Sequence, residues 1–193
     1  MLGLKLPTDP RWVKIVESNI DEILIDHAFC EQKAATNAIS ILVQYPELTD
    51  LVDAMLDLAQ EELEHFKMVH AKIKARGNVL GRERRDEYVN ELYSFMRKGH
   101  KRHIVLIDKL LFSALIEARS CERFKVLSEN IKDAELASFY HELMVSEASH
   151  YTMFLKFAKK YANGEDVDKR WKEFLDFEAG VIANYGKKET IHG

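Results

Sequence analysis

Residues 61–66 read Glu-Glu-Leu-Glu-His-Phe and contain a Glu-x-x-His pair. The same pair recurs 85 residues later, and a lone Glu precedes each copy by about thirty residues. One Glu from each of two helices and a Glu-x-x-His from each of two others form the ligand set of two-metal sites in four-helix bundles. The pattern therefore predicts both a helical bundle and a carboxylate-rich metal centre, with these six ligands: Glu31, Glu62, His65, Glu117, Glu147 and His150.

The composition is that of a globular protein with long helices. The chain has 193 residues, 47% hydrophobic and 31% charged, with only three prolines and eight glycines to interrupt helices. This length suits one well-cored domain, and we expect residues 1–193 to form a single domain around the metal centre, with a loose tail at 186–193. Few prolines and glycines argue against many short strands.

Charge and cysteine content limit the function classes. The net charge of −4 is not that of a protein that coats nucleic acid, so any nucleic-acid contact must be a local patch. Two cysteines do not suggest a disulfide framework, and no signal peptide or bilayer-length apolar run is visible. A cytoplasmic location is expected.

Helical periodicity and breaker residues give the order of the elements. We predict helices at about 10–44, with a jog near Ser18–Asn19, then 47–76, 102–129, 132–162 and 167–185. Short connections make the first and second, and the third and fourth, antiparallel pairs. About 25 residues with a short helix at 85–96 join the pairs. The fold class is therefore all-α: a ferritin-like four-helix bundle with a long crossover between helices two and three and an extra C-terminal helix.

The six ligand residues lie on apolar helix faces, where a carboxylate needs a counter-charge. Residues three or four apart share a helix face, so each Glu-x-x-His pair points one way. A buried, uncompensated carboxylate costs several kcal/mol, and no Lys or Arg lies nearby on these stripes. Two divalent metal ions would neutralise the four carboxylates. Carboxylate and imidazole ligands without thiolate favour iron or manganese over structural zinc.

Alternatives remain for single residues. One Glu-x-x-His pair alone is common, and neighbouring glutamates can form ordinary helix salt bridges. Glu122 rivals Glu117, although it spoils the repeat spacing. His27, one turn before Glu31, is a partner of the metal ligands, a pocket wall or a core histidine. Cys30 and Cys121 are interpreted as small buried residues.

Positive charge is concentrated in the crossover and its flanks. Most charge runs are solvated surface, yet this cluster is local in an acidic chain and is what a polyanion-binding protein would show. The candidate RNA-binding residues are Arg82, Arg84, Arg85, Arg97, Lys98, Lys101 and Arg102.

Five ordered motifs across the chain resemble the MiaE family of bacterial tRNA-(2-methylthio-isopentenyladenosine) hydroxylases. They are LPTDPRW at 6–12, DHAFCEQKAA at 26–35, EELEHF at 61–66, LIEARSCERF at 115–124 and SEASHY at 146–151. No ligand position departs from the family pattern.

The resemblance implies an oxygen-dependent di-iron monooxygenase that hydroxylates the isopentenyl group of the modified adenosine beside the tRNA anticodon. It implies two iron ions as cofactor, dioxygen as co-substrate, a tRNA substrate, an electron-donating reductase or ferredoxin, and a monomer or dimer. The six residues of the repeat would be the iron ligands, with no further catalytic residue. The alternatives are another di-iron or di-manganese redox enzyme, ferritin-like iron storage, or a structural bundle.

Overall fold

The computed structural model describes residues 2–83, 85–184 and 191, and within these ranges regular structure is helical throughout. The helices are α1 (Trp12–Ser18), α2 (Ile20–Gln44), α3 (Thr49–Ala75), α4 (Glu87–Ser94), α5 (Arg102–Asn130), α6 (Ala134–Lys160) and α7 (Val167–Asn184). The chain divides into two compact units. One contains α2 and α3, and the other contains α1 and α4–α7.

The α2–α3 unit is an antiparallel hairpin. The first long helix breaks at Asn19, as predicted, and α2 ends before Tyr45-Pro46 because the residue before proline disfavours helical geometry. The hairpin ends at Gly77, which has φ +77°, and the Asn78 N–H bonds back to the Ile73 carbonyl at 3.1 Å. This is a glycine C-cap that satisfies the last carbonyls of α3.

The second unit is built around α5, which packs along α6 and also contacts α4 and α7. From Leu106 to Phe124, α5 is buried around most of its circumference. Asp133 caps α6 by accepting the N–H groups of Glu135 and Leu136 at 3.0 and 3.1 Å. Since α5 is enclosed, every charged residue on its buried part needs a partner inside the protein.

The N-terminal segment differs in detail from the expected helix start. Asp9 accepts the Arg11 backbone N–H at 2.9 Å, which is a capping contact. Thr8 instead turns inward: its backbone N–H donates to Glu122 Oε1 at 2.9 Å, and its hydroxyl donates to Glu122 Oε2. The segment is thus tied to α5 across more than a hundred residues of sequence.

The expected loose tail lies mostly outside the described residues, with Ile191 as the exception. Ile191 is fully buried, and its backbone N–H donates to Asp26 Oδ2 of α2 at 2.7 Å. At this residue the chain is held by its hydrogen bond to a buried carboxylate.

Candidate metal centre

The α2–α3 unit places three of the predicted ligands together. Glu31 comes from α2, and Glu62 and His65 lie one turn apart on α3. Their ligand atoms lie within 4.8 Å of one another, and all three side chains are buried, at 4%, 0% and 7% exposure. We call this set the first triad. Two carboxylates and one imidazole at this spacing can share one cation.

Two further residues surround the first triad. His27 Nε2 lies 2.6 Å from Glu31 Oε1, one helical turn away, and the imidazole is fully buried. Of the three roles open for His27, the structure favours that of a direct partner of a predicted ligand, because its ring contacts the Glu31 carboxylate. His65 Nδ1 lies 3.3 Å from Glu62 Oε2, and its Nε2 lies 3.9 Å from Glu61 Oε1.

The α5–α6 hairpin places the other three together. Glu117 lies on α5, and Glu147 and His150 lie one turn apart on α6. Their ligand atoms also lie within 4.8 Å of one another, and exposures are 5%, 2% and 4%. We call this set the second triad. His150 Nδ1 is 3.9 Å from Glu117 Oε2, and Ser146 Oγ is 3.5 Å from His150 Nε2.

Glu122, the sequence rival to Glu117, is bonded to other groups. Its carboxylate accepts hydrogen bonds from the backbone N–H and the hydroxyl of Thr8. It also accepts one from the Arg119 guanidinium, whose Nη1 lies 3.0 Å from Glu122 Oε2. This pairing explains a buried carboxylate without a metal ion. The repeat spacing therefore selected the residue that joins the second triad.

A buried ionic network lies on the same helix as Glu117. Arg119 donates to Glu178 of α7 at 2.9 Å and to the Leu6 carbonyl at 3.0 Å, and Tyr88 donates to the same Glu178 oxygen at 3.1 Å. Burial, followed by the charge of Glu178, raises the pKa of Tyr88 well above its ordinary value. The tyrosine therefore remains a neutral donor.

Arg123 lies one turn further along α5 and is fully buried. Its guanidinium carbon sits 4.3 Å from the Trp12 ring centroid, which is a cation–π contact. Burial, and then the positive charge of Arg119, lowers the pKa of Arg123 to about 10. Among the described residues, Arg119 and Arg123 are the buried arginines and no lysine is buried. The network therefore places buried positive charge on α5.

The two cysteines have different environments. Cys121 is buried, as expected, and its thiol donates to the Met144 carbonyl at 3.2 Å. Burial, with smaller contributions from Glu117 and Glu122, raises the pKa of Cys121 to about 11. Cys30 is only half-buried. Neither cysteine belongs to the clusters of possible metal ligands among the described residues, so the donor set consists of oxygen and nitrogen atoms.

The donors of the two triads fit hard divalent cations. Each triad offers two carboxylates and one imidazole, without thiolate, at nearly complete burial. Such ligands suit iron or manganese. Six protein ligands for two ions would also leave coordination positions for exogenous oxygen donors.

The candidate RNA-binding residues fall into two groups. Arg82 and Arg85 are exposed in the α2–α3 unit, whereas Lys98, Lys101 and Arg102 are exposed just before and at the start of α5. Arg84 lies outside the described residues.

Arg97 differs from the other candidates because it is already paired. Its backbone N–H and guanidinium bond to Asp108 at 2.7 and 2.8 Å, and its Nη1 bonds to Glu165 at 3.0 Å. The sequence placed Arg97 in the basic cluster by charge alone and did not reveal that the carboxylate eleven residues ahead binds it. Arg97 therefore connects the segment before α5 to Asp108 and Glu165 within the folded chain.

Asp108 is a buried residue that the sequence interpretation missed. The side chain is fully buried. It also accepts hydrogen bonds from Nε and Nη2 of Arg170 on α7, at 3.1 and 2.7 Å. Burial raises the pKa of Asp108, but hydrogen bonds from Arg170 and Arg97 outweigh this effect and hold the pKa below its ordinary value. The sequence did contain a sign of this buried carboxylate, because Asp108 interrupts the largely apolar stretch 104–111.

Comparisons with known proteins agree with these features. The family model described as "tRNA-(MS[2]IO[6]A)-hydroxylase (MiaE)" matches residues 2–193. A curated Pseudomonas putida protein, named tRNA 2-(methylsulfanyl)-N(6)-isopentenyladenosine(37) hydroxylase, is 40% identical over 85% of this chain and 78% of its own length. A Salmonella typhimurium protein of the same name is 28% identical over 98% of this chain and 87% of its length.

A solved structure shows the same fold. It is titled "Protein 43 with aldehyde deformylating oxygenase activity from Synechococcus", with a TM-score of 0.90, 34% identity, and coverage of 98% of this chain and 95% of that one. The prediction of an all-α, ferritin-like fold is thereby confirmed. None of the helices in the described ranges has the length and apolar character that crossing a bilayer requires. Since the family model spans the whole chain from residue 2, the protein belongs to the MiaE family.

Proposed function

We propose that this protein is a non-haem di-iron monooxygenase that hydroxylates the isopentenyl group of 2-methylthio-isopentenyladenosine beside the tRNA anticodon. The match of residues 2–193 to the MiaE family model carries this proposal. The names of the two curated relatives specify the same nucleoside, and both triads are present and buried in this chain.

The six residues of the two triads would be the ligands of two iron ions. Four carboxylates buried to 5% exposure or less carry more negative charge than a protein interior tolerates without cations. Two divalent ions balance that charge, and the imidazoles complete the ligand set. When bound, a reduced iron pair supplies oxygen activation: one oxygen atom enters a carbon–hydrogen bond and the other leaves as water, using two electrons and two protons from outside.

The protein side chains have positioning roles in this reaction. His27 fixes the orientation of Glu31 through its 2.6 Å contact, as outer partners of metal ligands commonly do. Along α6, Leu143 and Phe154 lie on the ligand face and are almost completely buried. These apolar groups exclude water, which strengthens electrostatic interactions around the reacting carbon. The electrons would come from a reductase or ferredoxin.

The exposed cations would hold the RNA backbone while the modified nucleotide is turned out of the loop. Lys98, Lys101 and Arg102 have exposed side chains, as do Arg82 and Arg85 in the other unit, and Arg84 adds a further charge to that stretch. Arg97 supports this surface through Asp108 and offers less charge to a phosphate.

The decisive experiment is nucleoside analysis of tRNA from cells with and without this protein. We expect the hydroxylated nucleoside to disappear in the deletion strain, with its unhydroxylated precursor accumulating, and to return on complementation. An unchanged content of the hydroxylated nucleoside would contradict the proposal. Metal analysis of protein purified without oxygen distinguishes iron from manganese.

The RNA surface is tested by charge reversal with a matched control. Lys101→Glu with Arg102→Glu should weaken tRNA binding and flatten the slope of log K against log salt by about 0.7 for each lost contact to single-stranded RNA. Lys125→Glu with Lys132→Glu changes the net charge equally near the other end of the same hairpin, where both lysines are exposed. Equal effects of the two pairs would remove Lys101 and Arg102 from the proposal.

A second function is favoured by the solved structure with aldehyde deformylating oxygenase activity. The fold and identity are compatible with a small aldehyde substrate. An oxygen-consumption assay of the iron-loaded protein with aldehydes and, separately, with hypomodified tRNA distinguishes the two. Consumption coupled to an aldehyde alone would replace the tRNA proposal.

A further inference from the structure

We propose that Tyr93 is a stacking platform for an unpaired anticodon-loop base, flanked by cations that bind the adjacent phosphates. The inference rests on the proposed function, because it assigns a binding surface to the tRNA substrate of that reaction. It concerns α4 and the segment that leads into α5, both within the same unit.

Tyr93 is exposed, although two other large side chains of α4 are buried. Tyr88 and Leu92 are turned inward, at 1% and 0% exposure, whereas the Tyr93 side chain is 47% exposed. The fold therefore does not use Tyr93 to fill its core. An exposed aromatic ring is an available surface for base stacking, because every nucleobase presents a flat face.

The ring of Tyr93 is supported in place. It contacts Phe112 of α5 edge-on, with ring centroids 5.9 Å apart and planes at 82°. Lys98 Nζ lies over the ring, 4.9 Å from its centroid. A cation–π contact at an exposed site is weak, so the flexible lysine can leave the ring when a base arrives. The ammonium would then be free to meet a phosphate of the same nucleotide.

The charge around the ring suits RNA. Residues 97–103 contain four lysines or arginines and no acidic residue. Three of these cations, Lys98, Lys101 and Arg102, are exposed. On α4, Glu91 is two residues from Tyr93 and so lies on the opposite side of the helix. A flat ring between cations fits a single-stranded nucleic-acid loop, which offers bases and phosphates at alternating positions.

The position of the platform suggests which nucleotide it binds. Phe112 precedes Glu117 by five residues on α5, an axial rise of about 7.5 Å. The same five residues correspond to a rotation of about 140° around the helix axis. Tyr93, which contacts Phe112, therefore packs on a different side of α5 from Glu117. It would hold a neighbouring base, while the modified adenosine enters the metal site.

The test compares Tyr93→Phe with Tyr93→Ala in binding to a synthetic anticodon stem-loop RNA at several salt concentrations. Phe keeps the stacking face, so Tyr93→Phe should bind within about twofold of the unmodified protein. Tyr93→Ala should bind about 5- to 140-fold more weakly, the range expected for losing one stacked base. Its salt slope should be unchanged, because no ionic contact is lost. Lys98→Ala should instead flatten the slope by about 0.7.

Two controls make the result specific. An RNA with the same stem and phosphates but abasic loop nucleotides should bind Tyr93→Phe and Tyr93→Ala equally. Val145→Ala, which trims an apolar side chain of 58% exposure on α6, should leave the affinity for the stem-loop unchanged. A loss for Val145→Ala as large as that for Tyr93→Ala would show a nonspecific effect and overturn the platform.

The platform and the proposed function can fail separately. If Tyr93→Ala binds the stem-loop as well as the unmodified protein, and the unmodified protein hydroxylates tRNA, only the platform is overturned. If the unmodified protein neither binds nor hydroxylates the RNA, both are overturned. Circular dichroism of each variant confirms that the exposed substitution leaves the helices intact.

Discussion

The two hairpins present the same three donors in different surroundings. In both, a Glu on the earlier helix meets a Glu-x-x-His on the later one, and the ligand atoms lie within 4.8 Å of each other. One turn before the lone Glu, the first triad has His27 and the second has Ser113. Four residues before the ligand histidine, the first triad has Glu61 and the second has Ser146.

These differences give the triads unequal partners. In the first triad, the buried imidazole of His27 lies 2.6 Å from Glu31, and the carboxylate of Glu61 lies 3.9 Å from His65. The second has a hydroxyl at 3.5 Å from His150. Outer partners adjust the basicity and orientation of ligands. The ligand repeat therefore specifies two similar positions, and the residues one turn away make those positions inequivalent.

The hairpins also differ in what supports them. The α5 helix carries the buried cations Arg119 and Arg123, and Arg119 bonds Glu178 of α7. In the described part of the α2–α3 unit, the buried polar residues are acids and histidines. Removal of Glu178, the ionic partner of Arg119, should therefore destabilise the unit that contains α5 and α7.

The largest expected effect comes from replacing one ligand in each triad. Glu31→Gln and Glu117→Gln should each abolish hydroxylation and lower the iron content from two towards one per chain, since each removes a charged donor. In the metal-free protein both should raise Tm, because one fewer carboxylate is buried without a counter-charge. Metal analysis and thermal unfolding with and without chelator measure these outcomes.

Glu64→Gln is the matched control, because Glu64 is an exposed residue of α3 that pairs with Lys67. It should change neither iron content nor activity. For the unmodified protein, iron at about 100 times its Kd should raise Tm by about 5–10 °C over the chelated form. A Tm that chelation leaves unchanged would refute the two-metal interpretation, and different iron losses in the two variants would show unequal ligand donors.

The next effect concerns the ionic network that joins Arg119 of α5 to Glu178 of α7. Glu178→Gln should lower the free energy of unfolding by about 3 kcal/mol, because it leaves the buried Arg119 with a weaker partner. Urea unfolding measures this change, and the iron content should stay at two per chain. Asp176→Asn on the same helix removes only an exposed pair with Lys5 and should cost less than about 1 kcal/mol. Similar losses in the two variants would mean that the network contributes no more than a surface ion pair.

The smallest effect tests the inequivalence of the triads directly. His27→Ala should weaken binding of one of two ferrous ions about 10-fold, because Glu31 loses its orienting partner. His27→Gln, whose amide can still donate to Glu31, should recover part of the loss. Ser113→Ala should have a smaller effect. Anaerobic titration with ferrous iron resolves the two binding steps, and equal losses for His27→Ala and Ser113→Ala would remove the asymmetry.

The helices and the two triads followed from periodicity and spacing, because helix geometry converts sequence separation into a shared face. The helix break at Asn19 and the short helix expected at 85–96, which the structure places at Glu87–Ser94, also appeared as expected. These features are local, so the sequence contains the information that determines them. The ligand assignment itself remains a prediction.

The errors and omissions involve long-range partners. Arg97 was grouped with Lys98 and Lys101 by charge alone, and the charge run does not reveal its bond to Asp108. The sequence likewise does not reveal that Thr8 bonds to Glu122. The role of His27 depended on side-chain rotamers at two positions, which spacing alone does not specify. Tyr93 was missed because exposure of one ring on a short helix depends on what packs beside it.

Asp108 accepts the Arg97 backbone N–H as well as two guanidinium groups, and the chain then turns at Gly99, with φ +71°, into α5. A segment fixed in this way has lost much of its conformational freedom before any RNA arrives. Ordering a mobile side chain on binding costs about 0.5–1.5 kcal/mol, and a flexible loop would add backbone entropy to that amount. In the proposed RNA complex, Asp108 would thus shift part of the entropic cost of RNA binding to the moment when the chain folds.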